Sequence, residues 1–275
     1  MVLPGAQSPR APPLLVHGSG LIHSRLWRRP LPPHSQVHIA AREVRLAASV
    51  RDELDGGGGR RTGWQGAGGA TLGVEESALE HYLRQPGAPW TRGVHLENAL
   101  LLAMFTLLLW EPLFGTVEPC AFGGGLADAP LDLLEGGSRF YERRRAAIEA
   151  TLEAIEGGEA PRLWTRAYQA HRGEVAIGVH WDALEPQLLI DAITAIGGRV
   201  VAAICRTLAL DYVGSSHGAP DLLLLAPPTP EAPTGRARFV EVKGPGDALR
   251  DGQLAWIDAL LRAGAEVEVA YVQAA

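Results

Sequence analysis

Lys243 is the only lysine in this 275-residue chain, which contains 24 arginines. It closes the run Phe239-Val240-Glu241-Val242-Lys243, and Pro220-Asp221 followed by four leucines lies upstream of that run. A single lysine among so many arginines indicates a position where a compact, rotatable ammonium is needed and a planar guanidinium is not equivalent. Chance is the alternative, since one lysine must sit somewhere. The two neighbouring carboxylates favour a site.

These residue types suit the chemistry of a metal-bound phosphate. In a strand, Glu241 and Lys243 point to one face while Val240 and Val242 point into the core, and Asp221 at the start of the partner strand can reach the same place. Two carboxylates and the Val242 carbonyl offer the hard oxygen ligands that Mg²⁺ or Mn²⁺ prefers. The adjacent ammonium can hold a water or stabilise charge on a phosphate, and the metal makes hydrolysis feasible near neutral pH.

The alternative for this charged triplet is a solvated sheet edge or a simple salt bridge. That alternative predicts polar residues alternating along the strand that begins at Asp221. The sequence after Asp221 contains only leucines before Ala226. The pattern therefore favours buried strands that carry a functional site.

The elements that must position these residues form an α/β unit. Apolar runs at 221–226 and 238–242 predict a hairpin of two buried strands with a long proline-rich tip. A helix at 248–262 carries Gln253 and Trp256, and the spacing of its apolar residues favours Trp256 as a core residue. A third strand follows at 267–272. Upstream helices are predicted at 75–83, 95–110, 141–155, 161–171, 183–196 and 199–211.

The first 73 residues are expected to be a loosely ordered segment with a glycine-rich linker from Asp55 onwards, and residues 74–275 an ordered domain. A short strand is predicted at 37–41. The chain is 47% hydrophobic, which excludes a wholly disordered polymer. Its net charge of −6 does not argue against nucleic acid, because residues 1–65 carry nine arginines and only four acids.

Composition also bears on location. The N-terminus lacks the uninterrupted apolar run that marks a signal peptide. The apolar run 99–110 is too short to span a bilayer. Cys120 and Cys205 show no metal-binding spacing and suggest a reducing compartment. We expect a protein that is neither secreted nor in a membrane, nuclear in a eukaryote or cytoplasmic in a bacterium.

The pattern Pro-Asp…Glu-x-Lys resembles the signature of PD-(D/E)xK nucleases, although the short string alone is weakly specific. A longer run of residues is similar to the VRR-NUC domain, in particular that of the Fanconi-associated nucleases. These residues are Gly218-Ala219-Pro220-Asp221-Leu222, Phe239 to Pro245, Asp247, Leu249, Gln253, Trp256 and Gly264 to Val269. Further matches lie at His95-Leu96-Glu97, Leu109-Trp110, Pro130 to Leu133, Phe140, Arg143-Arg144, His180 to Asp182 and Ile204 to Arg206. The resemblance covers residues 75–272, with the VRR-NUC core at about 160–273.

This resemblance implies a restriction-endonuclease-like mixed sheet flanked by helices, with a helical subregion upstream. It also implies a structure-selective DNA endonuclease and 5′ exonuclease that favours 5′ flaps in interstrand cross-link repair. The metal ligands would be Glu97, Asp221, Glu241 and the Val242 carbonyl, with Lys243 catalytic and Gln253 supporting it. From the residues alone, Glu97 also fits an ordinary acid at a helix N-terminus, where the macrodipole favours it.

Three arginines are candidates for binding DNA phosphates: Arg143, Arg144 and Arg206. Their alternatives are a solvated helix face for the first two and a surface arginine whose aliphatic stem covers apolar residues for the third. The expected partner is flap or branched DNA, with a repair protein or a second copy of the chain as a further partner.

Two other functions stay open. The chain could be a stand-alone nuclease of the VRR type that cuts junctions. It could also be a non-catalytic paralogue that binds DNA or a partner, because this sequence has only about 70 loosely patterned residues where the family usually has DNA-binding domains.

Overall fold

A five-stranded mixed sheet organises the computed structural model, which describes residues 34–41, 43–45, 62–96, 99–118, 121–122 and 127–274. The order across the sheet is β1-β8-β7-β6-β5. Strands β1, β8 and β7 run parallel, and β6 is antiparallel to both β7 and β5. The bounds of the five strands are β1 Ser35–Ala41, β5 Arg92–His95, β6 Leu222–Ala226, β7 Arg236–Lys243 and β8 Glu266–Ala274. A small antiparallel sheet contains β2 Glu43–Arg45, β3 Thr62–Gln65 and β4 Thr71–Leu72.

Helices cover both faces of the main sheet. Their bounds are α1 Val74–Arg84, α2 Ala99–Leu108, α3 Trp110–Phe114, α4 Leu131–Leu134, α5 Arg139–Ala154, α6 Ala160–His171, α7 Pro186–Ile196, α8 Gly198–Leu210, α9 Tyr212–Ser215 and α10 Asp251–Ala263. This is the predicted mixed sheet flanked by helices, with the predicted helical region upstream of β6. The hairpin of β6 and β7 is confirmed, with Leu222 paired to Val240.

Two apolar clusters lie on opposite faces of the sheet, which explains why β6 is an uninterrupted apolar run. Phe239 and Leu223 face the larger cluster, which includes Ile257 and Leu260 of α10. Val240 and Val242 face the smaller cluster, which includes Tyr82 of α1. Glu241 and Lys243 therefore share the face of Phe239. The face of β7 that carries Val240 and Val242 packs in a core, as predicted, but the opposite face is also covered, by the larger apolar cluster.

Several predicted helix boundaries were wrong. The helix predicted at 95–110 begins at Ala99, because His95 instead ends β5 and pairs with Leu222. The chain also remains helical across Pro112, in α3, where the proline lies in the first turn and its missing N–H costs no helical bond. The end predicted for the helix at 141–155 is confirmed: α5 ends at Ala154, and a π-helical turn, Ile155–Glu159, in which Gly158 has a non-helical φ of +94°, connects it to α6.

Strand β1 lies upstream of the predicted domain boundary at residue 73, yet it belongs to the main sheet. Ser35–Ala41 pairs in parallel with β8, from Ser35 beside Glu268 to Ala41 beside Ala274. The strand predicted at 37–41 is thus present. The division of the chain at residue 73 stays a prediction, but the sheet draws on residues from both sides of it.

No single helix within the described residues is long and apolar enough to cross a membrane. Helices α7 and α8 together reach the length and apolar composition of a membrane span, but the pair is bent by 105° where the two helices join.

Candidate active site

Asp221 fixes the place where β5, β6 and β7 meet. Its carboxylate Oδ2 accepts a hydrogen bond from the backbone N–H of Val242 at 2.6 Å. Its carbonyl accepts from the backbone N–H of Leu96, directly after β5, at 2.8 Å. The carboxylate is thereby held beside the end of β7 that carries Glu241 and Lys243, as predicted.

Lys243 joins the strand to helix α10. Its Nζ donates to Glu241 Oε1 at 2.6 Å and to Gln253 Oε1 at 3.1 Å. Gln253 Oε1 also accepts from the backbone N–H of Arg250 at 2.9 Å, which ties the side chain to the start of α10. The structure therefore brings together Asp221, Glu241, Lys243 and Gln253, all four of the residues predicted to be catalytic.

Both carboxylates of the site are held in surroundings that disfavour their charge. Burial, and secondarily the charge of Asp221, raises the pKa of Glu241 to about 7, although Lys243 opposes the shift. Burial also raises the pKa of Asp221, against the opposing effects of the Val242 N–H and Lys243. Glu241 is fully buried, and its Oε2 has no hydrogen-bond partner among the described residues. The single positive charge of Lys243 therefore does not offset the burial of the Asp221 and Glu241 carboxylates.

A divalent cation fits this arrangement. It would neutralise two repelling carboxylates and give Glu241 Oε2 a partner, and carboxylate oxygens suit Mg²⁺ or Mn²⁺. Within the described ranges no group of three His, Cys, Asp or Glu side chains converges as a metal site. The third predicted acid, Glu97, lies outside the described residues. Metal binding by Glu97, Asp221, Glu241 and the Val242 carbonyl therefore stays a prediction.

His95 and Glu75 flank the site on its other side. The Nδ1 atom of His95 lies 3.6 Å from Glu75 Oε2, and His95 is a minor influence that lowers the pKa of Asp221 against the larger effect of burial. The charge of Glu75 adds to the rise of the Glu241 pKa. Sequence reasoning missed Glu75, since it lies in the first turn of α1, far from the motif, and no spacing links it to β7.

The raised pKa of Glu241 predicts how the metal-free protein responds to pH. A carboxyl whose pKa is higher in the folded than in the unfolded state stabilises the fold fully below the unfolded value near 4.5. That contribution is lost as the pH rises through about 7. Glutamine cannot ionise, so we expect Glu241→Gln to remove this loss. Between pH 5 and pH 8 the free energy of unfolding of the variant should rise relative to that of wild type by on the order of 1–3 kcal/mol.

Urea denaturation in EDTA at several pH values measures this difference. Glu153→Gln, at an exposed position on α5, is the matched control. If the free energy of unfolding depends on pH in the same way for wild type and Glu241→Gln, the pKa of Glu241 is not raised by burial and the prediction is wrong.

The structure corrects the prediction for Arg144. Its side chain is 2% exposed, and its Nη1 donates to Oδ2 of the equally buried Asp132 at 2.8 Å. The guanidinium also lies over the ring of Phe140. A cation so deeply buried does not reach the surface to contact a DNA phosphate in this conformation, and the structure pairs it with Asp132 instead.

Arg143 and Arg206 are also paired. Arg143 donates to Asp132 Oδ2 at 2.7 Å and is 19% exposed. Arg206 binds Glu149 through two hydrogen bonds of 3.3 and 2.8 Å, while Tyr141 donates to the same carboxylate. That pairing lowers the pKa of Glu149. Phosphate binding by these two arginines stays a prediction, and it would require each to exchange its acidic partner for DNA.

This difference in burial predicts unequal effects on stability. Arg144→Met leaves Asp132 buried with only Arg143 to pair with it, and we expect a loss of about 3 kcal/mol in the free energy of unfolding. Arg206→Met breaks a partly exposed pair and should cost no more than about 1 kcal/mol. Urea denaturation of both variants tests this ranking. Equal losses would show that Arg144 has no special structural role.

Trp256 is a core residue, as its spacing indicated. It is buried in the larger cluster, and its indole N–H donates to the carbonyl of Ser215 at 2.9 Å. The face of α10 that carries it therefore packs against the loop that leads to Asp221.

Comparison with known proteins identifies this arrangement. Residues 157–274, which include every element from α6 to β8, match the model of the VRR-NUC domain. The match contains Asp221, Glu241, Lys243 and Gln253, whereas the additional strands β1 and β5 lie upstream of it.

Related proteins extend the similarity beyond the VRR-NUC domain. The chain is 38% identical over 214 residues to the Fanconi-associated nuclease 1 homolog of Oryza sativa, covering 78% of this chain and 22% of the relative. It is 36% identical over 205 residues to Fanconi-associated nuclease 1 of Homo sapiens, covering 73% and 19%. The chain thus spans only about a fifth of the length of these relatives.

A solved structure shows the same fold. The crystal structure of paFAN1 bound to 5′ flap DNA with a two-nucleotide flap and a gap superposes with a TM-score of 0.68 and 28% sequence identity. The similar region covers 90% of this chain and 39% of that protein. The match confirms the restriction-endonuclease-like fold and includes segments upstream of the VRR-NUC domain.

Proposed function

We propose that this chain is a structure-selective DNA nuclease that hydrolyses phosphodiesters at 5′ flaps with the help of Mg²⁺ or Mn²⁺, in DNA repair. The observation that carries the proposal is the buried pair of Asp221 and Glu241 beside the ammonium of Lys243. The VRR-NUC match and the similarity to a nuclease bound to 5′ flap DNA support it. Interstrand cross-link repair is the setting that the family resemblance suggests.

Asp221 and Glu241 would hold the metal, with the Val242 carbonyl as a further ligand. When bound, the metal would polarise the phosphate and lower the pKa of a water. Glu97 is proposed as an additional ligand, because its sequence neighbour Leu96 is bonded to the Asp221 carbonyl. These oxygen ligands also account for the choice of a hard cation.

Lys243 supplies a positive charge where negative charge develops on the phosphate. Hydrolysis forms a bond from a water oxygen to phosphorus, breaks the bond from phosphorus to the leaving oxygen, and transfers one proton from the water to the leaving oxygen, which departs as a hydroxyl group. The ammonium can orient that water or donate to a phosphate oxygen, and it already has a fixed position because Glu241 and Gln253 hold it. Gln253 thus acts on the reaction through Lys243.

The DNA partner and the cellular setting follow from the relatives. The eukaryotic relatives are named as Fanconi-associated nucleases, so we propose a nuclear location. A repair-protein partner or a homodimer is proposed as well.

Cleavage of a panel of labelled DNAs tests the proposed function. Wild-type protein with Mn²⁺ is expected to cut a 5′ flap faster than a four-way junction or a single strand, and to cut nothing in EDTA. Faster cleavage of the junction would favour the stand-alone junction nuclease. Metal-independent DNA binding without any cleavage would favour the non-catalytic paralogue.

A further inference from the structure

The loop that carries Asp221 and the helix that carries Gln253 meet backbone to backbone. Gly218 lies three residues before Asp221, and a Cβ added to it would lie 3.1 Å from the carbonyl carbon of Gly252 and 3.3 Å from the backbone nitrogen of Gln253. Gly218 also has a φ of +87°, a conformation that side chains with a Cβ rarely adopt. Two independent constraints therefore require glycine here.

The atoms that face Gly218 cannot easily give way. They are main-chain atoms in the first turn of α10, whereas a crowded side chain could change its rotamer. The indole of Trp256, one turn further along the helix, donates to the carbonyl of Ser215, the last residue of α9 and three residues before Gly218. The chain is thus joined to α10 close to Gly218, and a push at Gly218 cannot be relieved by moving this segment away without straining that bond.

A shift of this helical turn reaches the proposed reacting groups. Gln253 Oε1 is the shared acceptor of Lys243 Nζ at 3.1 Å and of the Arg250 N–H at 2.9 Å. Moving the backbone of Gln253 by a few tenths of an ångström changes the first of these contacts. The ammonium of Lys243 then loses the second of its two fixed partners.

We infer that Gly218 is a positioning residue: its contact with Gly252 and Gln253 sets the separation between the loop bearing Asp221 and helix α10, and through Gln253 the position of the Lys243 ammonium. This inference rests on the proposed nuclease function. Gly218 touches no reacting group, so its role differs from that of Asp221 or Lys243.

Three alanine variants separate the contact from the conformational strain. Gly218→Ala introduces both. Gly264→Ala, at the other end of the same helix, introduces strain alone, because Gly264 has a φ of +91° and no neighbouring atom within 4 Å of its added Cβ. Gly252→Ala introduces a Cβ on the α10 side of the contact, where its nearest neighbour would be the His217 carbonyl oxygen at 3.9 Å, an ordinary van der Waals distance.

We expect Gly218→Ala to lower kcat on 5′ flap DNA at saturating Mn²⁺ by about tenfold or more, since a misplacement of about 1 Å can cost a hundredfold. Gly264→Ala and Gly252→Ala should stay within about twofold of wild type, with thermal stability recorded for all three. Equal kcat for Gly218→Ala and Gly264→Ala would overturn the inference.

A double-mutant cycle with Gln253→Ala distinguishes positioning from a general structural defect. If Gly218 acts through Gln253, adding Gly218→Ala to Gln253→Ala should lower kcat by less than about twofold further. Fully multiplicative losses would overturn the inference.

Trp256→Phe provides the same cycle if the Gly218 variants do not fold, because it removes the bond to the Ser215 carbonyl together with part of the buried ring volume. It should lower kcat severalfold in the wild-type background and little in Gln253→Ala, and unchanged kcat in wild type would overturn the inference. Failure of the unaltered chain to cleave any DNA would instead contradict the proposed function.

Discussion

Replacing Asp221 with asparagine should lower the rate of metal-dependent 5′ flap cleavage by about a thousandfold or more. The amide keeps an oxygen that can accept from the Val242 N–H, so the local fold should persist. It removes one of two carboxylates proposed to hold the cation, and an incomplete ligand set weakens both metal binding and transition-state stabilisation. Single-turnover cleavage across a Mn²⁺ titration measures the loss.

Asp258→Asn is the matched control, since Asp258 is an acid of α10 paired with Arg262 on the surface of that helix. We expect it to cleave at the wild-type rate. A rate for Asp221→Asn within twofold of wild type at every Mn²⁺ concentration would rule out a ligand role for Asp221.

Replacing Lys243 should have the second large effect, and arginine should not rescue it. Lys243 is 7% exposed and fits between Glu241 and Gln253 at 2.6 and 3.1 Å. A guanidinium keeps the charge but is larger and planar, so it cannot occupy the position of the compact ammonium. We expect both Lys243→Ala and Lys243→Arg to lower kcat by about a hundredfold to a thousandfold, the usual cost of removing one such donor.

Metal binding separates this effect from that of Asp221. Neither Lys243 variant loses a proposed ligand, so both should retain Mn²⁺ binding, whereas Asp221→Asn should not. Arg262→Lys, the reverse exchange at an exposed ion pair on α10, should leave cleavage unchanged. Near-normal activity of Lys243→Arg would show that the charge alone matters and that the lone lysine has no specific role.

The part of the site that lies close together in sequence could be predicted. Strands β6 and β7 and helix α10 follow one another, and their apolar runs and the Glu-x-Lys spacing place Glu241, Lys243 and Gln253 with little ambiguity. Asp221 could be added because antiparallel pairing brings the start of β6 beside the end of β7. Local periodicity and short-range pairing were sufficient here.

Long-range partners could not be predicted. Nothing in Arg92–His95 indicates a strand that pairs with β6, and its last residue, His95, was assigned to the apolar helix that follows. Glu75 approaches the site only because α1 packs near the end of β5, a tertiary contact without a sequence signal. Helix spacing also left Arg144 ambiguous, since only the tertiary placement of Asp132 makes its position buried.

The position of bound Mn²⁺ tests the central claim most directly. Anomalous X-ray diffraction from crystals grown with Mn²⁺, at a concentration that saturates flap cleavage, should show a peak in contact with the carboxylates of both Asp221 and Glu241. The peak should be absent from crystals of Asp221→Asn. A peak elsewhere in the wild-type protein, with none between these two carboxylates, would contradict the account.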